Sequence, residues 1–134
     1  MTREDVDRWL ADYVEAWKSY DREQIAALFS EDVSYRYHPY DDPIEGREEV
    51  VKAWRAEGDH PEAGTRDEPG TFDASYEAFA VDGDAAVATG WSSYRDSPDG
   101  PIARTYDNCF VMRFDSERRC SEFTEWFMQR KETS

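Results

Sequence analysis

Apolar residues recur every three or four positions from Val6 through Trp9, Leu10, Tyr13, Val14 and Trp17 to Tyr20. This spacing predicts an amphipathic helix over residues 3–20 with one inward stripe. Thr2 is placed to cap its first turn, and Asp5 stands at the capping-box position. Asp21 opens a second, shorter helix, with Gln24 three residues on and Ile25, Leu28 and Phe29 on its apolar face. Ser30-Glu31-Asp32 breaks that helix, and the period changes. Val33-Ser34-Tyr35-Arg36-Tyr37 alternates with period two, the mark of a strand, and His38-Pro39 ends it. After a turn-rich stretch from Tyr40 to Glu45 and then Gly46, residues 47–57 return to helical spacing with Val50, Val51 and Trp54 inward. Residues 58–71 hold Gly58, Pro61, Gly64, Pro69 and Gly70, a loop longer than most connections and so a candidate functional segment.

The remainder reads as strands at 72–81, 85–95, 103–114 and 119–130, separated by turn residues at 82–84, 96–101 and 115–118. Such spacing predicts an antiparallel meander. The whole chain, 1–134, is thus expected to be one α+β domain in which three helices cover the concave face of a curved, mostly antiparallel sheet. Pairing the hairpins about their turns puts Tyr76, Thr89, Asn108 and Glu125 in one row of that face. Trp91, Tyr106 and Phe127 fall on one side of the row, and Ala78, Val87, Phe110 and Phe123 on the other. Ala80, Ala85, Met112 and Phe114 extend the same face. The opposite face holds Thr105, Asp107, Cys109, Arg113, Glu122, Thr124, Trp126 and Met128, a mixed surface suited to a dimer contact. On this register Cys109 and Cys120 share the outer face at roughly 13 Å, too far for a disulfide.

Composition changes this picture in two ways. Two Leu, three Ile and eight Val stand against 20 aromatic residues, so the core must be built from rings. Few aliphatics with a net charge of −15 resemble a disordered chain, but the rings fall at helical and strand spacing. The charge also sets aside nucleic acid and anionic membrane surfaces as partners. No apolar run approaches a membrane span, and MTREDVDRWL lacks the basic and apolar regions of a signal peptide, so a cytoplasmic protein is expected. Thirteen Arg against three Lys fits a GC-rich genome or a high-salt cytoplasm. Two cysteines and two histidines form no metal motif, so no metal or organic cofactor is expected.

Candidate chemistry follows from polar groups on the apolar face. A buried Glu125 must be paired, hydrogen-bonded or protonated; beside Asn108 it either satisfies the core or acts as a pocket acid or base with a raised pKa. His38, where a strand ends at a proline, stands at the expected mouth of the cone. Tyr13 and Trp17 face inward from the first helix, where a buried hydroxyl needs a partner and can donate to a ligand. Trp17, Tyr35, Trp54, Tyr76, Thr89, Trp91, Tyr106, Phe110, Phe123 and Phe127 are the candidate pocket walls.

The element order resembles the NTF2-like cone fold, and the SnoaL-like domain within it. So do the run from Tyr13-Val14-Glu15-Ala16-Trp17 through Asp21 and Ile25-Ala26-Ala27-Leu28-Phe29-Ser30-Glu31-Asp32-Val33, the segment Pro43-Ile44-Glu45-Gly46-Arg47-Glu48-Glu49-Val50, and Val111-Met112-Arg113-Phe114-Asp115. Tyr13 matches the oxyanion tyrosine of the family's ketosteroid isomerases. His38, before Pro39, stands where they carry the catalytic aspartate, and Phe110 where they carry a second oxyanion donor. Phe cannot donate a hydrogen bond, which tells against steroid isomerisation; Asn108 can supply a donor instead. The resemblance to polyketide cyclases makes Glu125 the candidate acid or base. The resemblance implies a homodimer and a cone-shaped pocket for a small apolar, aromatic or polycyclic molecule. Its chemistry would be that of an acid/base isomerase, cyclase or hydrolase, proton abstraction beside a carbonyl above all. Either His38 or Glu125 would be the base, with Tyr13 and Asn108 at the oxyanion. A non-catalytic ligand-binding or dimerisation module is the alternative.

Overall fold

The Thr2 hydroxyl accepts from the Asp5 backbone N–H and the Asp5 carboxylate accepts from the Thr2 N–H, so α1 (Arg3–Ser19) begins on the expected capping box. It ends at Tyr20, which takes the left-handed conformation. Asp21 caps α2 (Arg22–Ala27) through the Gln24 N–H, and α3 (Arg47–Trp54) follows a two-strand excursion. The strands are β1 (Phe29–Arg36), β2 (Ile44–Glu45), β3 (Phe72–Asp82), β4 (Ala85–Arg95), β5 (Ile102–Phe114) and β6 (Cys120–Gln129). This computed structural model describes residues 1–131.

The six strands form one sheet in the order β2-β1-β6-β5-β4-β3. Only β1 and β6 run parallel; the other pairs are antiparallel. The helices lie on the concave face, giving the expected α+β cone. Its core is a ring lattice: Phe123 stacks on Tyr35 at 4.6 Å, and Trp9 meets Phe29 and Phe114 edge-on at 6.1 and 5.5 Å. The Trp9 indole N–H donates to the Leu28 carbonyl at 2.9 Å and ties α1 to the start of the sheet.

Three local features differ from the sequence expectation. First, β1 starts at Phe29 rather than Val33, because Phe29 pairs with Cys120 and the Cys120 N–H donates to the Leu28 carbonyl at 2.8 Å. An irregularity between Phe29 and Ser34 absorbs the Ser30-Glu31-Asp32 stretch within the strand. The third helix also stops at Trp54, not 57.

Second, β4 is displaced by one residue against both neighbours, and an irregularity between Tyr94 and Arg95 sets it against β5. Asp82 pairs with Ala85 around a tight turn in which Gly83 has φ +61°, and a bulge lies between Ala78 and Ala80. Tyr76 therefore faces Gly90, and Gly90 faces Asn108. A one-residue slip turns every side chain of a strand over. Ala86, Ala88, Gly90, Ser92 and Tyr94 thus take the concave face, while Thr89, Trp91, Val87 and Ala85 move to the convex one. The bulge exposes Phe79 and Ala80 as well.

Third, an irregularity between Arg113 and Phe114 turns Cys120 into the core, where it is fully buried, so it does not share the outer face with Cys109. Both thiols are free.

Candidate active site

The helices leave the wide end of the cone open, and a cavity of about 240 Å³ penetrates there. Tyr13 and Trp17 reach it from α1, Tyr35 from β1, Tyr37 and His38 from just beyond β1, and Trp54 from the end of α3. From the sheet come Tyr76, Ser92, Tyr94, Tyr106, Asn108, Glu125 and Phe127. Seven of the eight tyrosines line it.

Gly90 shapes this wall without touching the ligand space. A Cβ there would stand 2.0 Å from the Ser75 carbonyl oxygen and 2.6 Å from the Tyr76 ring. The missing side chain lets the Tyr76 ring close over the sheet and pack on Phe110 at 4.6 Å.

Glu125 is the ionisable group of the sheet wall. Its carboxylate accepts from Asn108 Nδ2 at 2.8 Å, and Asn108 Oδ1 accepts from the Ser92 hydroxyl at 3.0 Å. The ionised Glu125 carboxylate can only accept, so it takes the NH2 end of the amide and leaves Oδ1 to the Ser92 hydroxyl. Asn108 and Glu125 are diagonal neighbours rather than the direct pair expected: Asn108 faces Phe127 and Phe110 faces Glu125. A slip of two residues keeps the face, so the contact survives. Burial pushes the Glu125 carboxyl up to about 7, against the pull of the Asn108 hydrogen bond. Desolvation, and then nearby phenols and Glu125, also hold the Tyr13 and Tyr35 hydroxyls well above the ordinary phenol value, so both stay protonated donors.

The Tyr35 hydroxyl and the Trp54 indole N–H are buried with no hydrogen-bond partner among the described residues. Their rings lie 6.4 Å apart, and the Tyr13 ring lies 5.1 Å from Trp54. At the rim, His38 Nδ1 meets Asp41 Oδ2 at 2.8 Å, leaving Nε2 as the free ring nitrogen. The imidazole stacks on Tyr40 and leans on Phe127 at 5.4 Å.

The long 58–71 segment crosses the mouth, and Glu62, Ala63, Thr65 and Asp67 close that side of the cavity. Asp67 holds it in place: its Oδ2 accepts from the Trp17 indole N–H at 3.0 Å, and its own N–H donates to the Tyr20 hydroxyl at 2.8 Å. Turn residues alone marked this segment in the sequence; nothing in its pattern identified Asp67 as the tether. The sequence pattern does not mark Ser92 and Tyr94 either, because their facing follows from the β4–β5 register and its irregularity between Tyr94 and Arg95.

Of the residues expected from sequence, Tyr13, His38, Asn108, Glu125, Trp17, Tyr35, Trp54, Tyr76, Tyr106 and Phe127 converge on the cavity. Thr89 and Trp91 do not, since the register puts them on the convex face, where Trp91 stands near Ser93 and Thr105. Phe110 and Phe123 are fully buried one layer behind, under the Tyr13 ring at 5.4 and 5.8 Å. The wall is also more polar than expected, since phenol hydroxyls, an amide and carboxylates project into it.

The SnoaL-like domain profile matches residues 10–122. A crystal structure of an NTF-2 like protein of unknown function from Burkholderia xenovorans LB400 superposes with a TM-score of 0.67 at 16% identity, over 98% of this chain and 88% of that one. That likeness concerns the fold. No curated protein matches this chain. No helix of the described residues is long and apolar enough to cross a membrane.

Proposed function

From the premise that the chain belongs to the SnoaL-like domain family, within the NTF2-like superfamily, we propose that its aromatic-walled cone is an active site for proton transfer next to a carbonyl group of a small apolar or polycyclic ligand. The observation that carries this reading is a cavity carboxyl, Glu125, whose proton equilibrium lies at about 7. A base poised near neutrality takes a proton and returns it with little cost at either step. Glu125 is the base in this reading, and His38, held by Asp41 at the rim, shuttles protons to solvent. Asn108 spends its donor on Glu125, so it positions the base and does not serve the oxyanion. The oxyanion donors are the Tyr13 hydroxyl and the unpartnered Tyr35 hydroxyl and Trp54 N–H. In the cycle Glu125 takes the α-proton, the C–H electron pair moves into the enolate, and the oxygen charge is met by these donors. Return of the proton to another carbon, or to the same one, completes it with no net redox change.

The test is α-hydrogen exchange of small ketones such as acetophenone in D2O, followed by proton NMR. Wild-type protein is expected to accelerate exchange, and Glu125→Gln to abolish the acceleration. Equal rates for the two proteins would overturn the reading.

We further infer that a second copy of the chain covers the convex face. Val111, Trp126 and Met128 are 43%, 44% and 76% exposed on adjacent β5 and β6 positions of that face. A monomer by light scattering at micromolar concentration would refute this.

A further inference from the structure

The charge of the cavity lining is one-sided. Glu62, Asp67 and Glu125 line it, Glu62 with its carboxylate 3.5 Å from His60 Nδ1, and among the described residues no lysine or arginine does. The sole basic group is His38, which Asp41 already engages. Inside the cavity a ligand carboxylate or phosphate would meet like charge, at a cost that low local dielectric enlarges; the nearest guanidinium groups stay outside the lining.

The rim also has the geometry that receives a cation. Trp17 and Tyr94 lie 6.1 Å apart at 56°, Tyr94 and Tyr106 5.7 Å at 84°, and Tyr106 and Phe127 5.6 Å at 87°. Tyr106 stands nearly at right angles to both of its neighbours, and Trp17 is tilted against Tyr94 at the other end of this run of rings. Glu62 and Asp67 stand on the strap across it. The electron-rich faces of such rings attract organic cations, whose diffuse charge is cheap to desolvate. Two of the mouth rings already carry the protein's own guanidinium groups: Arg66 over Tyr20 at 5.6 Å and Arg104 over Tyr94 at 4.6 Å. Neither arginine lines the cavity. Deeper in, the buried Tyr35 hydroxyl and Trp54 N–H neighbour each other and the Tyr13 hydroxyl without a well-formed hydrogen bond among the described residues, so they have donors to spare for a ligand oxygen.

We propose that the ligand of this cone is an organic cation, an amine or quaternary ammonium compound that also bears an oxygen. Its positive nitrogen sits at the mouth beside Trp17 and Tyr106 under Glu62 and Asp67, clear of the Tyr94 ring that Arg104 covers, and its oxygen points down to Tyr35 and Trp54. This inference rests on the reading of the cavity as a ligand site and adds the charge of the ligand.

Calorimetric titration with choline and with its uncharged isostere 3,3-dimethylbutan-1-ol tests it, with the indole N–H resonances of Trp17 and Trp54 as reporters of the site. Choline is expected to bind at least tenfold more tightly than the alcohol and to move both resonances. Glu62→Gln and Asp67→Asn are each expected to weaken choline severalfold and leave the alcohol within twofold; the Asp67→Asn amide oxygen still accepts from Trp17, so the strap stays tethered. Equal affinity for the two probes, or choline binding indifferent to both substitutions, would overturn the cationic ligand and leave the cavity reading standing. Binding of neither probe at millimolar concentration, with both indole resonances unmoved, would overturn the two together.

Discussion

Replacing Glu125 with glutamine removes one ionisation and little else. The amide has nearly the same volume, and its oxygen still accepts from Asn108 Nδ2. In the folded protein the Glu125 carboxyl titrates at about 7, against 4.5 in the unfolded chain. Below pH 4.5 the group is protonated in both states and adds no pH-dependent term. Between 4.5 and 7 the unfolded chain releases its proton while the folded protein keeps it, so stability falls as pH rises. Above 7 the folded protein ionises too, and the full penalty is present. The interval from 4.5 to about 7 corresponds to about 3 kcal/mol. Asp5, Glu49 and Asp107 pull the other way, because hydrogen bonds and neighbouring cations lower their carboxyls. They are common to both proteins and cancel in the difference. Urea unfolding at pH 4 and pH 8 should therefore show Glu125→Gln gaining about 3 kcal/mol on the wild type between the two pH values. A difference that is flat with pH would refute the raised carboxyl, and with it the argument that Glu125 is a neutral-pH base.

Asn108→Leu takes away the donor that stabilises the ionised carboxylate, a charged hydrogen bond of about 1.5–3 kcal/mol, so the Glu125 titration should rise by about 1–2 pH units. Carbon-13 NMR of the labelled carboxyl reads this directly, and an unmoved midpoint would mean that the 2.8 Å contact is not the stabilising one. Gly90→Ala should cost about 2–3 kcal/mol, because its Cβ meets backbone at Ser75 as well as the Tyr76 ring; thermal melting within a degree of wild type would contradict the close approach. Native protein should release at most one equivalent of thionitrobenzoate from a disulfide reagent, through Cys109 wherever the convex face is open, and two after unfolding, when fully buried Cys120 is freed; two fast equivalents would overturn the irregularity that turns Cys120 inward.

Period and capping made the helices, the strand order and the helix-covered face legible from the chain. Thr2 with Asp5 and Asp21 with Gln24 act as their spacing implies. Features of a single residue were not legible. The irregularity between Tyr94 and Arg95 carries no residue signature, yet it sets β4 against β5 and so decides whether Trp91 or Ser92 faces the cavity. The β5 and β6 faces were immune to the equivalent error, since their slip is by two residues and parity is conserved. That is why Asn108 and Glu125 could be placed together from sequence while Thr89 and Trp91 were misplaced. The strap was visible as a long loop, but its seating depends on one carboxylate meeting two rings far away in the chain, which no local pattern encodes.

The aromatic surplus divides by chemistry. Phe29, Phe110, Phe114 and Phe123 are each no more than 2% exposed, whereas seven of the eight tyrosines border the cavity. A phenylalanine ring has no polar atom and can be surrounded on all sides. A phenol placed equally deep must find a partner for its hydroxyl, and the sheet's backbone groups are already spent on one another. Most tyrosines therefore settle where one end packs on phenylalanine and the other opens on the cavity, as Tyr13 does between Phe123 and the ligand space, whereas Tyr35 is fully buried with its hydroxyl unpartnered among the described residues. With so few leucines and isoleucines to plug the cone, this layering fills its narrow end with phenylalanine and faces its wide end with hydroxyls. The same layering makes the site polar. Filling the cavity by extending the apolar core, for instance with Ser92→Phe, would strand the Asn108 amide and leave the Glu125 carboxylate with a freely rotating donor. The open cone is thus a consequence of where phenol groups can be buried, and Glu125 sits at the boundary between the two layers.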